Sequence, residues 1–260
     1  DIRPSVDNRP FFYHFFKWRQ TPEIVAGLGL TWQPFGGSGY FVLVALLILV
    51  SLASAVLIIG PLLLKRRRST GGPVGPASGW RWRVFLYFAC LGLAFLFVEI
   101  PIAQRFILLL DKPVTALAIV LFALLLFSGL GSLTAGRWSM PRALFLLILL
   151  IALYPLLLDP VSRLALNQAL WGRAALAIVA LAPIGFLMGL PFAGGLRVVE
   201  AREPALVPWA WAINGSFSVI SSVLAVMIAL SLGFPAVLWL GAAAYTVALL
   251  AFRNLWPPRH

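Results

Sequence analysis

The sequence predicts an all-α fold: a polytopic transmembrane helical bundle of about seven helices, preceded by an aromatic interfacial N-terminal arm. Three observations predict it. Of the 260 residues, 62% are hydrophobic and only 11% charged, whereas a soluble domain carries about 25% charged residues. The apolar residues gather into seven runs of roughly 16–27 residues, against the ~20 that cross ~30 Å of hydrocarbon. Most of the ten tryptophans stand at the ends of those runs, where an amphipathic ring prefers the headgroup layer. Backbone N–H and C=O groups find no water in lipid, so runs of this kind must be helical.

Residues 1–39 form the arm, and 40–260 the transmembrane domain. The arm holds four prolines and the glycines Gly36, Gly37 and Gly39, too interrupted for a span. Its stretch from Phe11 to Arg19 places Phe11, Phe12, Phe15 and Phe16 on one side of a helix, among Lys17 and Arg19. That pattern suits a headgroup layer, and it equally suits a linker packed on another domain. The first residue is Asp1, and no basic start followed by an apolar core occurs in the first forty residues. The expectation is a piece of a longer chain or a processed product.

The spans are expected at about 41–64, 84–110, 114–135, 143–158, 174–193, 209–232 and 236–252. The first ends at Lys65, Arg66, Arg67 and Arg68, followed by a Gly/Pro/Ser loop. Asp111-Lys112-Pro113 turns the chain after the second, and residues 136–142 after the third. Asp159-Pro160 is expected to end the fourth, the shortest, with a short amphipathic piece following through Asn167. A polar loop is expected from Gly194 to Pro208, and Gly233-Phe234-Pro235 turns the chain into the last span.

The charge is +12, from 20 Lys+Arg and 8 Asp+Glu. In a soluble protein this would suggest nucleic acid. Here the cations stand between apolar runs, so the partner expected is an anionic lipid headgroup layer and not nucleic acid. Lys65, Arg66, Arg67, Arg68, Arg81 and Arg83 are the headgroup candidates. With seven spans, twelve cations fall on one side, those six with Arg137, Arg142, Arg197, Arg202, Arg253 and Arg259. Seven fall on the other, and Arg105 lies in the second span. The positive-inside rule then places the N-terminus outside and the C-terminus inside, in a bacterial inner membrane. The one cysteine, Cys90, allows no intrachain disulfide, and the two histidines, His14 and His260, lie outside the apolar runs. No cofactor and no metal site is expected, and no phosphate loop, dinucleotide fingerprint or nucleophile elbow occurs.

Glu99 is the sharpest polar feature, set within the second span just before Pro101. A charge at mid-span costs about 2.5–3.5 kcal/mol on insertion scales. The carboxyl therefore faces protein, water or a cation, or is protonated. Gln104 and Arg105 follow about a turn later. Asn214, Ser218 and Ser222 recur at i+4 in the sixth span, with Ser221 beside them. Together these residues make a candidate polar intramembrane site, or else a helix-packing seam. Ser128, Ser132 and Gly136, with Gly185 and Gly189, are candidates for helix packing.

Several ordered segments resemble bacterial spermidine-synthase-like multi-pass membrane proteins: Asp7 to Phe15, Gly92 to Ile100, Gln104 to Phe106, Phe127 to Ser132, Gly189 to Arg197 and Pro208 to Gly215. The resemblance implies the C-terminal membrane domain of that family. In the family, chemistry on decarboxylated S-adenosylmethionine belongs to a Rossmann-type domain, which this chain lacks, so no catalytic residue is assigned. The expectation is a non-catalytic module, structural or accessory, with protein partners in a membrane complex. The alternative is a transporter or binding unit for a polar or cationic solute such as a polyamine, centred on Glu99.

Overall fold

A computed structural model of the chain describes residues 38–68, 78–110 and 112–253. Apart from Ser38 and Gly39, which open the first helix, the expected arm lies outside them. Seven α-helices occur among the described residues: α1 (Ser38–Arg68), α2 (Ser78–Leu110), α3 (Pro113–Thr134), α4 (Met140–Leu166), α5 (Leu170–Arg202), α6 (Val207–Leu232) and α7 (Phe234–Arg253). Short 3-10 turns at Ala135–Arg137 and Pro204–Leu206 join α3 to α4 and α5 to α6.

Five stretches are long and apolar enough to cross a membrane: Gly79–Leu110, Pro113–Arg137, Leu170–Arg202, Pro204–Leu232 and Phe234–Arg253. Phe41–Leu57 and Met140–Leu156 are shorter apolar helical stretches. This is a multi-pass helical bundle of membrane type.

The helices outrun the apolar segments that announced them. α4 continues to Leu166 through Pro155 and Pro160, so the expected break at Asp159-Pro160 is helical. α5 continues to Arg202, so most of the expected 194–208 loop is its last turns. α2 likewise keeps its course through Pro101. A proline removes one N–H bond without ending a helix when neighbouring helices hold the segment on either side. The turn at Gly233 falls where expected. Its φ of 88° suits a residue without Cβ, and its N–H bonds to Ala229 O at 2.8 Å, closing the end of α6.

α2 is the central helix. It packs on α6 and α7 along much of its length and also meets α3, α5 and α4. The α3–α5 pair is the other main seam, α4 bridges α5 and α7, and α1 lies at the edge against α6.

Contacts sort the helix ends into two groups. At one end Arg81 pairs with Glu203 at 2.7 Å, and the Arg202 guanidinium lies 4.1 Å from the Trp80 ring centre. Tyr87 meets Phe252, with ring centres 5.4 Å apart. Gly194 lies against Met140, and Gly136 against Arg197. At the opposite end the Arg173 guanidinium donates to Leu109 O at 3.3 Å. A cation there meets the partial negative charge of the carboxyl end of α2.

The close approaches are made by glycine. A Cβ on Gly92 would overlap the Asn214 carbonyl of α6. One on Gly189 would overlap Ser128 O, and one on Gly131 would overlap Phe186 O, both in the α3–α5 seam. Small residues let membrane helices approach until backbones touch. Gly189→Val and Gly92→Val are each expected to destabilise the bundle by about 1–3 kcal/mol, the usual cost of overpacking. Gly129→Ala, where nothing stands within 4 Å, should be neutral or stabilising. Unfolding in mixed micelles checks the contrast.

Candidate intramembrane polar site

Three polar residues of α6 reach α2. Asn214 Nδ2 donates to Phe88 O at 3.3 Å. Ser218 Oγ lies 3.2 Å from Gly92 O and 2.9 Å from Asn214 O. Ser221 Oγ donates to Leu93 O at 2.7 Å and is fully buried. These bonds reach backbone carbonyls across the helix interface at the point where Gly92 lets α6 come close. The missing Cβ of Gly92 and the donors of α6 are two halves of one contact.

Ser222 lies apart from them. Its hydroxyl turns back to Val219 O of its own helix at 2.7 Å, on an exposed face. The seam therefore runs Asn214, Ser218, Ser221, an i, i+4, i+7 series, where the strict i+4 reading had chosen Ser222. The i+7 position lies about 20° from the starting one, and i+8 about 80°, for 3.6 residues per turn.

Glu99 does not join this group. It lies eleven residues beyond Phe88, about 16 Å along α2 at 1.5 Å per residue, and five residues past the middle of that helix. Among the described residues its carboxylate has no hydrogen bond or ion pair. It is half-buried and within electrostatic reach of Tyr245 on α7, which is 2% exposed. Gln104 is exposed, and Arg105 is half-buried and engaged in an interaction of its own. The expected polar site thus separates into a satisfied seam and a lone carboxylate.

The packing candidates come together more closely. Gly189 meets Ser128, and Gly185 lies against Phe127 Cβ and Leu124 Cα, where an added Cβ would stand 3.1 and 3.4 Å away. Ser128 and Ser132 return their hydroxyls to Leu125 O and Gly129 O, at 3.2 and 2.7 Å. This self-bonding leaves no hydroxyl unpaired in an apolar setting. Gly136 makes no helix seam and instead carries the Arg197 guanidinium. The sequence missed Gly131, the glycine of α3 that meets α5. Its only signal was a Gly three residues after Ser128, on the same helical face.

Of the headgroup candidates, Arg81 and Arg83 are exposed. The side chains of Lys65, Arg66, Arg67 and Arg68 lie outside the described residues, though the helical backbone of α1 runs through them. Trp80, expected as an interfacial ring, is only 5% exposed, beneath Arg202. Among the described residues no three His, Cys, Asp or Glu side chains gather in a way that could hold a metal ion. Comparison with protein-family models, with curated proteins and with solved structures returns no significant match.

Because cross-helix bonds in a membrane protein average about 0.6 kcal/mol and reach at most about 1.7, Asn214→Ala and Ser221→Ala should each cost about that much. Ser222→Ala should cost nothing measurable. A thermal-unfolding series in detergent checks the ranking, and it fails if Ser222→Ala costs as much as Ser221→Ala.

Proposed function

We propose that this chain is a non-catalytic integral membrane module, structural or accessory, that packs in a larger membrane assembly. The observation that carries this reading is the use of the polar side chains. Asn214, Ser218 and Ser221 are consumed by helix packing, and the serines of α3 are consumed by their own helix. A solute path needs polar groups left over to replace water around its cargo.

A second support is the outward face of α1. Val42, Leu49, Leu52, Val56 and Leu57 are all at least 61% exposed among the described residues. A helix held against one neighbour, with an apolar face turned outward, suits a partner helix. The segments that resemble spermidine-synthase-like proteins agree with a module that accompanies a catalytic domain without containing one. The N-terminus-outside, C-terminus-inside orientation, in a bacterial inner membrane, belongs to the same proposal and rests on the charge count of the loops.

One observation favours a second reading, a binding or transport unit for a cationic solute such as a polyamine. Among the described residues Glu99 has no hydrogen-bonding partner, and a carboxylate so placed is a functional candidate. Glu99→Gln separates the two. Under the leading reading the variant is as stable as the parent or more so, because a costly charge is gone, and it co-purifies with the same partners. Under the second, proteoliposome uptake of a labelled polyamine, present in the parent, is lost.

The leading reading expects the chain, solubilised from its native membrane in a mild detergent, to migrate in a complex larger than itself. Recovery as a monomer alone would count against it, as would aminopropyl transfer from decarboxylated S-adenosylmethionine by the purified chain.

A further inference from the structure

An apolar groove of about 710 Å³ opens on the outer face between α3, α4 and α5, within the roughly 300–1,000 Å³ of ligand-sized sites. Phe127, Leu146, Leu150, Pro183 and Phe186 line its walls, and Trp138 stands at one end. The indole of Trp138 meets the Phe186 ring edge-on, with centres 5.8 Å apart. The connection between α3 and α4 therefore closes the groove at that end.

That end carries charge. Arg142, Leu146, Leu149 and Leu153 follow one another at i, i+4, i+7 and i+11, so the arginine continues the leucine stripe that lines the groove. On α5, Arg197 stands eleven residues beyond Phe186, about 20° around the helix from it. Its guanidinium lies on Gly136, next to Arg137 and Trp138. Arg137, Arg142 and Arg197 are all exposed, and among the described residues none forms an ion pair. Of the nearby carboxylates, Glu203 is held by Arg81, and Glu200, one turn past Arg197, is exposed and among the described residues pairs with none of the three arginines. The amino end of α4 lacks a side-chain cap, so its free N–H groups add partial positive charge at the same place.

Depth selects the occupant. Arg142 to Leu153 spans about 16 Å of helix, half of a ~30 Å hydrocarbon core. A partner helix would need a face running the full thickness. One leaflet of lipid needs half of it, with phosphate at the charged end and hydrocarbon below.

We propose that this groove holds one anionic diacyl phospholipid, an acyl chain lying along the leucines of α4 and the phosphate on Arg137, Arg142 and Arg197. Guanidinium forks match phosphate oxygens two at a time, and Trp138 sits where a ring prefers the headgroup boundary. The site uses none of the headgroup candidates Lys65, Arg66, Arg67, Arg68, Arg81 and Arg83 and does not depend on the proposed function.

The test is native mass spectrometry of the full chain in mild detergent, titrated with dioleoyl phosphatidylglycerol or dioleoyl phosphatidylcholine. One phosphatidylglycerol should be retained on the parent, with phosphatidylcholine held about tenfold more weakly. R142Q/R197Q should lower phosphatidylglycerol affinity about tenfold, and Leu150→Trp, which fills the groove without touching charge, should lower affinity for both lipids. R163Q, in the last turn of α4 and so at the end opposite Arg142, should leave binding unchanged. R142K/R197K keeps the charge should the Gln variant fail to fold, and it should retain the lipid more weakly than the parent. Equal retention of the two lipids by the parent would overturn the proposal, as would full retention after Leu150→Trp. A dimer whose contact fills the groove and resists phosphatidylglycerol would also overturn it.

Discussion

Side-chain donors cannot be left without acceptors where there is no water, and a donor on one helix reaches the backbone of another only where the two nearly touch. The contact of α2 with α6 at Gly92 meets both conditions. Gly92 admits the Asn214 carbonyl region to the surface of α2, and Asn214, Ser218 and Ser221 then reach Phe88 O, Gly92 O and Leu93 O. The three bonds together are worth on the order of 2 kcal/mol at about 0.6 each. That is below the about 2.5–3.5 kcal/mol that inserting a mid-span carboxylate such as Glu99 costs, so the seam offsets a large part of that cost and not the whole of it. The rest of the bundle is arranged around α2: α7 meets it through Gly241, against Val98 and Phe97, and α5 through Gly195, against the Tyr87 ring. Tyr87 in turn donates to Pro191 O at 2.6 Å.

The end containing Trp80, Trp138 and Arg202 is aromatic and basic, with stacked and edge-on rings at Trp82–Phe85, Phe88–Phe192 and Phe192–Trp211. Its one described ion pair, Arg81–Glu203, ties the start of α2 to the end of α5. Glu203 is 15% exposed at the side chain and Arg81 53%, so the pair is partly screened and its contribution modest. It fixes which helix ends meet more than it stabilises the bundle.

Helix type was legible in the sequence because apolar runs of spanning length leave the backbone no other structure; the expected count of about seven spans is met only approximately, with five stretches of full spanning length and two shorter ones among the described residues. Helix ends were less legible. Hydropathy marks where the chain leaves the apolar slab, and α4 and α5 stay helical beyond it. Gly194 and Gly195 read as turn residues, yet they lie within α5 as contact surfaces for Met140 and Tyr87. The polar stripe of α6 was readable as a stripe. Choosing Ser221 over Ser222 required the direction of α2, which one helix alone does not encode. Glu99 stood out by cost, but its distance from Asn214 depends on register between helices, and spacing within each helix says nothing of that. The arginines around Trp138 looked like ordinary loop charges. Their relation to a groove exists only once α3, α4 and α5 are packed.

The central claim is that the polar face of α6 holds helices together and does not line a water path. Cysteine accessibility tests it most directly. In a Cys90→Ala background, Ser218→Cys and Ser221→Cys are treated in membranes with a charged, membrane-impermeant thiol reagent. Ser222→Cys serves as an outward-facing control, and a cysteine at Arg81 as a positive one. The packed seam predicts that positions 218 and 221 stay unlabelled while position 81 labels fully. Labelling at 218 or 221 at the rate seen for position 81 would contradict it and place water on that face of the bundle.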